Sequence, residues 1–494
     1  MTLKLDSLTF LVNGEDIPAF QLAVSHISDV GYCETAIRKR LGLSDITDIQ
    51  WRALPIYREE RLAERDLLAL AIDLFFLQGE ISARELDRLL NKEDQNIFIQ
   101  AKVLAIDKKR MARACVSLFP VGKLLVFSDH AWPKLPHPGY INIPHNQVMS
   151  LGADSHWLAR ITVRQPVRAA LDLCTGSGIH ALLAASHSRQ VLAVDINPRA
   201  ISCTRFNARA SGRDNVEGVV GDLFDPVRGK LFDLITANPP FVPSPVNDLG
   251  FRDGGRSGED VQRRIVEGLP HYLALGGIAQ IVTELGERDD DPIPDRLRRW
   301  LGNAPMDILI LRLREHSTTN YAIGHAQGDY DFGVFLDSVH DWANNLKLQK
   351  YSRIVSVLIS FQWSDQALGP PWVKIVETPP PLGDAGSEIQ AMFKAERIAR
   401  NLVLQGVFGH GRFRRAGQIA LLEARMIDSN LRTDVRAQLL GKSLSAFHWL
   451  DPITHNYKRL CYSSGWWLGV RKSVSNGITV SLNLDLLQIA PASY

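Results

Sequence analysis

The sequence is short of cysteine, of long apolar runs and of any excess of one charge, and each shortage removes a class of protein. Five cysteines (Cys33, Cys115, Cys174, Cys203 and Cys461) are scattered over 494 residues with no C-x-x-C pair. That pattern indicates neither a disulfide framework nor a zinc site, and no metal is expected. It fits a reduced, cytoplasmic setting. The longest apolar run, Leu67 to Leu77, is interrupted by Asp73. It falls well short of the ~20 apolar residues of a membrane helix and reads as a core helix, so no membrane partner is expected. The opening residues, MTLKLDSLTFLVNGED, lack the basic-then-apolar order of a signal peptide. Lys and Arg total 56 against 54 Asp and Glu, a net charge of +2. That balance disfavours a wholesale polyanion binder and leaves room for a local basic face. There is no internal repeat and no low-complexity tract.

What is present is ordinary globular material, 45% hydrophobic and 22% charged, and the length suggests about three domains. The expected boundaries are 1–145, 146–365 and 366–494. The first segment reads as mostly helical. In it, ERDLLALAIDLFFLQG has helical periodicity up to Gly79, and Ser82–Leu90 opens with a capping box, Ser82 with Glu85. IFIQAKVLAID follows as a third apolar stretch. Then ACVSLF and KLLVFSD form a hairpin about Pro120-Val121-Gly122. That order is winged-helix-like. Because the second and third helical segments carry no concentrated basic face, a packing or substrate-covering role is expected over nucleic-acid docking. The connector HAWPKLPHPGYINIPHNQ holds His130, His137 and His145 at a spacing that matches no common metal-ligand pattern.

From Val167 the texture changes to short β-branched runs, VRAALDL, QVLAVDI, VEGVVGD, LFDLITAN, GGIAQIVTE and MDILILRL, with helical segments between them. This alternation marks an α/β unit with a mainly parallel sheet, closed by RIVSVLISFQW. The final 120 or so residues mix helix and strand signals and are expected as an α+β accessory domain. In KAERIARNLVLQGVFGHGRFRR, Arg412, Phe413, Arg414 and Arg415 read as a charged helix end with a turn at Gly409 and Gly411, or as an RNA contact.

Four motifs in the α/β unit carry chemistry. In DLCTGSGIH, Gly176 and Gly178 sit where the first strand turns into a helix and let a ligand approach the backbone closely. Asp195 ends the second strand, where a carboxylate can accept both hydroxyls of a ribose. Asn197 is the stronger helix N-cap there. Asp222 ends the third strand, where it can accept from an adenine amino group. To this point a nicotinamide dehydrogenase and a methyltransferase are equally open. The fourth strand ends in Asn238-Pro239-Pro240-Phe241. Asn238 offers a side-chain oxygen, and Pro240 holds Pro239 extended, which aims the Pro239 carbonyl. Two acceptors fit one NH2 group, and Phe241 adds a flat apolar face. Such a clamp suits attack by a planar nitrogen and has no use in hydride transfer. The loop Phe251–Leu273 follows, with glycines that permit a mobile lid. Pro240, Arg252 and Asp253, with Arg256, are candidates for contact with substrate; a solvated loop capped by Ser257 or Asp260 is the competing expectation.

The series Asp172-Leu-Cys-Thr175-Gly176-Ser-Gly178, Asp195, Asp222 and Asn238-Pro-Pro-Phe241 resembles class I S-adenosylmethionine-dependent N-methyltransferases. Its (N/D)-P-P-(Y/F) form is similar to the HemK/PrmC protein-glutamine methyltransferases and the nucleobase amino-methyltransferases of the "small" methyltransferase group, over roughly residues 153–286. The resemblance implies a Rossmann-like core with a mainly parallel seven-stranded sheet and S-adenosyl-L-methionine as cofactor. Asp172, Thr175, Gly176 and Gly178 would line the methionine end, Asp195 the ribose, and Asp222 and Leu223 the adenine. Asn238, also beside the cofactor, would orient the accepting nitrogen together with Pro239 and Phe241. HemK-type enzymes usually carry Tyr where Phe241 stands here. The expected acceptor is an amide, guanidine or amino nitrogen of a protein side chain or small metabolite. The alternatives are an RNA or DNA nucleobase amine, and a non-catalytic cofactor-binding protein with a winged helix. Oligomeric state is not legible.

Overall fold

The computed structural model describes residues 16–50, 53–130, 146–246, 249–302, 304–326, 328 and 331–404. It also describes the strand segments 408–416, 419–426, 460–461, 467–469 and 479–485. The chain divides into two compact units, residues 1–363 with 379–386, and residues 364–378 with 387–494.

The first unit begins with helices α1 (Ile17–Asp29), α2 (Glu34–Leu41), the short α3 (Leu54–Ile56) and α4 (Leu67–Ala71). A π-helical turn, Ile72–Phe76, continues α4. The Leu67–Leu77 run is the core helix expected of it, because Asp73 stays buried only by pairing with Arg58 at 2.9 Å and Arg65 at 2.6 Å. Next come β1 (Glu80–Ser82), α5 (Ala83–Leu89), α6 (Lys92–Gln100), β2 (Leu104–Ile106) and β3 (Met111–Ala114), and the three strands form one sheet in the order β1-β3-β2. The capping box on α5 is present, with Glu85 N donating to Ser82 Oγ and Ser82 N donating to Glu85 Oε2.

Helix, strand, helix, helix, hairpin is the winged-helix order, but the wing lies elsewhere than the sequence suggests. The hairpin about Pro120 exists as β4 (Ser117–Val121) and β5 (Leu124–Ser128), in a two-stranded sheet of its own. The wing is β2–β3, of which β2 is cut from the stretch read as a third helix. Lys102 takes a positive φ of 56° just past the helix end, and Asp107 accepts from the backbone of Lys109 and Met111 to make the turn. His130, from the connector, donates through Nε2 to the Ala114 carbonyl and pairs through Nδ1 with Ser117 Oγ; His137 and His145 lie outside the described residues.

Then follow α7 (Ala153–Ile161), β6 (Val167–Leu173), α8 (Ile179–Ala184), β7 (Ser188–Asp195), α9 (Pro198–Ala210), β8 (Val216–Val220) and β9 (Phe232–Ala237). The unit continues with α10 (Asp260–Tyr272), β10 (Leu273–Glu287), α11 (Ile293–Trp300), β11 (Met306–Ser317), α12 (Thr318–His325), α13 (Phe332–Leu348) and β12 (Arg353–Trp363). Within this unit the sheet order is β11-β12-β10-β9-β6-β7-β8. Counted by position in the chain, that is 6-7-5-4-1-2-3. β12 runs antiparallel to both neighbours, while β10, β9, β6, β7 and β8 are mutually parallel. This is the Rossmann-like arrangement expected of a class I methyltransferase. The chain reverses its direction of winding between β6 and β9, and the crevice beyond their carboxyl ends is where open α/β sheets bind ligands. The glycine turn leaves β6 and Asn238 leaves β9, so both motifs open onto that one crevice.

The second unit contains β13 (Val373–Glu377), α14 (Gly386–Leu404, of which Gly386 falls in the first unit), and an antiparallel sheet. That sheet is formed by β14 (Phe408–Ala416), β15 (Ile419–Met426), β16 (Leu460–Cys461), β17 (Trp467–Gly469) and β18 (Thr479–Asp485), in the order β14-β15-β18-β17-β16. Arg412 to Arg415 lie within strand β14 and pair with β15, in place of the helix end and turn read from the sequence.

Candidate active site

The glycine turn is built on left-handed backbone. Cys174, Gly176 and Gly178 have φ of 54°, 54° and 85°. A Cβ at Gly178 would sit 2.8 Å from Thr204 Cγ2 on α9, so this glycine is needed for close packing. A Cβ at Gly176 would meet nothing within 4 Å, so that side of the turn faces open space. From behind, Thr204 Oγ1 donates to the Gly176 carbonyl and Asn207 Nδ2 to the Ser177 carbonyl.

Asp172 lies buried beneath the turn. It accepts from Thr175 Oγ1 at 2.6 Å, from Thr236 Oγ1 at 2.8 Å and from Ala181 N at 3.2 Å. Burial lifts its carboxyl to about 7 against the pull of these donors. Asp195 receives Gly176 N on Oδ2 and Asn197 N on Oδ1, both at 2.9 Å, and burial raises its carboxyl too. Asn197 caps α9, as its sequence context indicates. Asp222, half exposed, pairs with Arg264 at 2.8 Å, and Leu223 beside it is buried at a φ of 48°.

At the end of β9, Asn238 Nδ2 donates to Asp154 Oδ2 at 2.9 Å and to Ser155 Oγ at 3.2 Å, both in the first turn of α7. The amide nitrogen is therefore committed to the protein. Among the described residues, neither Asn238 Oδ1 nor the Pro239 carbonyl accepts a hydrogen bond. Phe241 is partly buried against a cluster of Val242, Tyr321, Trp342 and Leu346.

The segment after the motif lies against it, held by backbone hydrogen bonds. Val242 N donates to the Arg252 carbonyl, Gly254 N to the Val242 carbonyl and Ser244 N to the Gly255 carbonyl. A Cβ at Gly254 would lie 2.7 Å from the Pro240 oxygen, and one at Gly258 2.5 Å from the Phe241 oxygen. The glycines permit this segment to lie flat against the acceptor motif. Asn345 and Tyr351 fasten it further through the carbonyls of Arg256 and Ser257. Arg252 is engaged as well, with its Nε 2.7 Å from the buried Asp253 carboxylate and its guanidinium 5.5 Å from the Trp342 ring centre. Asp253 also accepts from Leu249 N. Arg256 is exposed. Ser257 Oγ accepts from Glu259 N and lies 3.3 Å from Asp260, near the start of α10.

Two carboxylates escape a motif reading. Asp154 belongs to SLGADSHWL, a helix start of no special appearance. Glu284 closes the run GGIAQIVTE and accepts from Tyr321 at 2.6 Å and Ser356 at 3.1 Å. Burial raises both carboxyls, and their mutual repulsion adds to the rise at Glu284. The available signals were an acidic residue opening the helix before the glycine motif, and another near the end of the fifth parallel strand. Among the described residues, no cluster of His, Cys, Asp and Glu could hold a metal ion, and no helix is long and apolar enough to cross a membrane.

A parallel sheet of this order with a glycine turn and an Asn-Pro-Pro-Phe rim defines a nucleoside-cofactor methyltransferase. The family model of the methyltransferase small domain matches residues 152–304. The chain is 32% identical to a Methanocaldococcus jannaschii protein provisionally named a protein N5-glutamine methyltransferase, over 28% of this chain and 73% of that protein. It is 35% identical to the ribosomal protein uL3 glutamine methyltransferase of Bordetella pertussis, over 32% of this chain and 58% of the relative. It is 33% identical to the release factor glutamine methyltransferase of Thermodesulfovibrio yellowstonii, over 24% and 46%. The matches thus span about half the length of the last two. The chain belongs to the class I S-adenosylmethionine-dependent N-methyltransferases of the methyltransferase small group, and its methyl donor is S-adenosyl-L-methionine.

Proposed function

We propose that this enzyme methylates the side-chain amide of a glutamine in a protein substrate. The observation that carries the reading is the fixed orientation of Asn238. With Nδ2 held by Asp154 and Ser155, Oδ1 and the Pro239 carbonyl are left as a pair of acceptors at the crevice. The names of the relatives support glutamine among planar nitrogens.

The residues present suit the cofactor. The open side of Gly176 leaves room beside the backbone, Asp195 stands at the strand end where ribose hydroxyls are bound in such sheets, and Thr175 and Asp172 stiffen the turn. Asp222 and Leu223 would flank the adenine. When bound, S-adenosylmethionine supplies an electrophilic methyl on a sulfonium. Asn238 and Pro239 take the two N–H groups of the incoming amide, which turns the nitrogen face toward the crevice. Phe241 walls the acceptor with an apolar surface. Most of the catalytic gain is positional, because a placed nitrogen needs no strong base before attack, and its surplus proton leaves afterwards to solvent.

The test uses methyl-labelled cofactor with ribosomal and soluble protein fractions, followed by peptide mass spectrometry. The expected product is N5-methylglutamine, absent with Asn238→Ala, while that variant still binds S-adenosylhomocysteine by calorimetry. Label entering only RNA or small metabolites would refute the reading.

A further inference from the structure

We propose that Asp154 is the positioning residue of the acceptor clamp: through its hydrogen bond to Asn238 it fixes the amide orientation and sets a negative charge behind the accepting nitrogen. The inference rests on the methyltransferase reading of the Asn238 site and concerns a residue outside the Asn-Pro-Pro-Phe motif.

An asparagine side chain is nearly symmetric in shape, so packing alone leaves its oxygen and nitrogen interchangeable. Only hydrogen bonding distinguishes them. Asp154 Oδ2, 2.9 Å from Asn238 Nδ2, accepts one amide hydrogen, most strongly when ionised, and Ser155 Oγ at 3.2 Å takes the second. Flipping Asn238 would bring its oxygen against the carboxylate and turn two donors toward the substrate nitrogen. The local backbone is arranged around this contact. A Cβ at position 152 would lie 2.6 Å from Asp154 Oδ1, so Gly152 leaves the space the carboxylate occupies. α7 then packs across β10 with Asp154 at its amino end.

The charge matters separately from the orientation. Methylation carries positive charge onto the acceptor nitrogen, and a fixed anion on the far side of the clamp stabilises that state more than the neutral amide that precedes it. The effect passes through Asn238 by polarising its amide, which makes Oδ1 a stronger acceptor. The neighbouring groups are Ser155 and His156 beside it on α7, Glu284 on β10, which senses the Asp154 charge, the His316, Tyr321 and Ser356 side chains that act on Glu284 from β11, α12 and β12, and Arg314 on β11, which reaches Trp157 of α7. Of these, Glu284 is bound by the Tyr321 and Ser356 hydroxyls, and Arg314 rests over the Trp157 ring at 5.0 Å. Glu284 therefore adds to the negative field at the acceptor end. Arg314 is drawn to the face of the buried Trp157 indole. Burial lifts the Asp154 carboxyl above its usual range, and the Asn238 hydrogen bond opposes the rise. Acidification therefore removes the charge before ordinary surface carboxylates titrate.

The experiment reads Asn238 directly. Protein labelled with 15N at asparagine is titrated from pH 4 to 9 with S-adenosylhomocysteine bound, and the Asn238 side-chain NH2 resonances are followed. They should shift with one titration above the usual Asp range, and become independent of that step in Asp154→Asn. Asp154→Asn keeps an acceptor oxygen and removes only the charge, so methyl transfer should fall about tenfold to a hundredfold in kcat, with cofactor affinity unchanged. Asp154→Ala should fall further, and Asp154→Glu should recover part of the loss. Asn238 resonances insensitive to pH in the wild type, or an Asp154→Asn enzyme with wild-type kcat across the pH range, would overturn the proposal. If Asp154→Asn does not fold, the wild-type titration and Asp154→Glu still decide it. Should wild-type protein methylate no protein substrate while the Asn238 titration is seen, the substrate reading fails and the positioning role stands.

Discussion

Thr236 donates its hydroxyl to Asp172 at 2.8 Å, across the directly paired positions of β9 and β6. The strand that ends in the acceptor motif is thus stapled to the strand that ends in the glycine turn, two residues before Asn238 and four before Gly176. The same carboxylate receives Thr175 from inside the turn. Cofactor loop and acceptor clamp share one buried anchor.

That anchor makes stability depend on pH. Burial holds Asp172 at about 7 in the folded chain, against roughly 3.9 when unfolded. Between these values the folded state binds a proton that the unfolded state lacks, so the free energy of unfolding decreases as pH rises. Asp172→Asn has no such proton. Thermal denaturation should show the variant gaining on wild type from pH 5 to 8, with the gap closing near pH 4. A difference constant with pH would contradict the assignment.

Asp195 joins two backbone amides across the crevice, from Gly176 and Asn197. Removing its side chain leaves the glycine turn without that support and, on the proposed placement of the cofactor, the ribose without its acceptor. Hydrogen bonds to charged groups contribute about 1.5–3 kcal/mol each. Asp195→Ala should therefore weaken S-adenosylhomocysteine binding by roughly 10- to 100-fold in calorimetry. Unchanged affinity would remove Asp195 from the cofactor site.

Gly254 lies against the Pro240 and Gly258 carbonyls with no room for a methyl group. Gly254→Ala must push the segment away from the acceptor motif, at about 1–3 kcal/mol for overpacking. We expect a lower Tm and a lower kcat with cofactor affinity retained. Gly250→Ala, where a Cβ meets nothing within 4 Å, is the control and should be nearly neutral. Equal behaviour of the two variants would argue for a loose segment.

Arg252 was a candidate for gripping substrate, yet its guanidinium is occupied by Asp253, whose side chain is fully buried. Arg252→Ala should strand that carboxylate and cost stability, by about 3 kcal/mol or more when a buried pair is broken. Chemical denaturation should register the loss, and the double variant Arg252→Ala with Asp253→Asn should recover part of it. A variant of wild-type stability with a raised KM for substrate would instead restore the gripping role.

How much could be read in advance depended on how local the cause was. Alternating apolar runs and helical segments set the α/β class, and Gly176, Asp195 and Asn238 each fall at the end of a strand where chain order alone places them on one rim. The capping box of Ser82 and Glu85 and the cap of Asn197 are contacts within three residues, so the sequence carries them whole. The wing was misplaced because a turn at Asp107 competes with helical periodicity through only a few side-chain hydrogen bonds.

The rest was a matter of distance along the chain. By itself the sequence determined the α/β class and the candidate motifs at its strand ends, a glycine turn, an aspartate and Asn-Pro-Pro-Phe, since each is a short pattern with its own backbone chemistry. Only the tertiary structure decided that Asp154, 84 residues before Asn238, sets the direction of that amide. It likewise decided that Asp172 serves two motifs at once, that Arg252 belongs to Asp253, and that the glycine-rich segment is fastened down. Hydrogen bonds between distant side chains have no sequence period; they arise when sheet order brings separate strand ends to one edge, where burial makes an unpaired polar group costly.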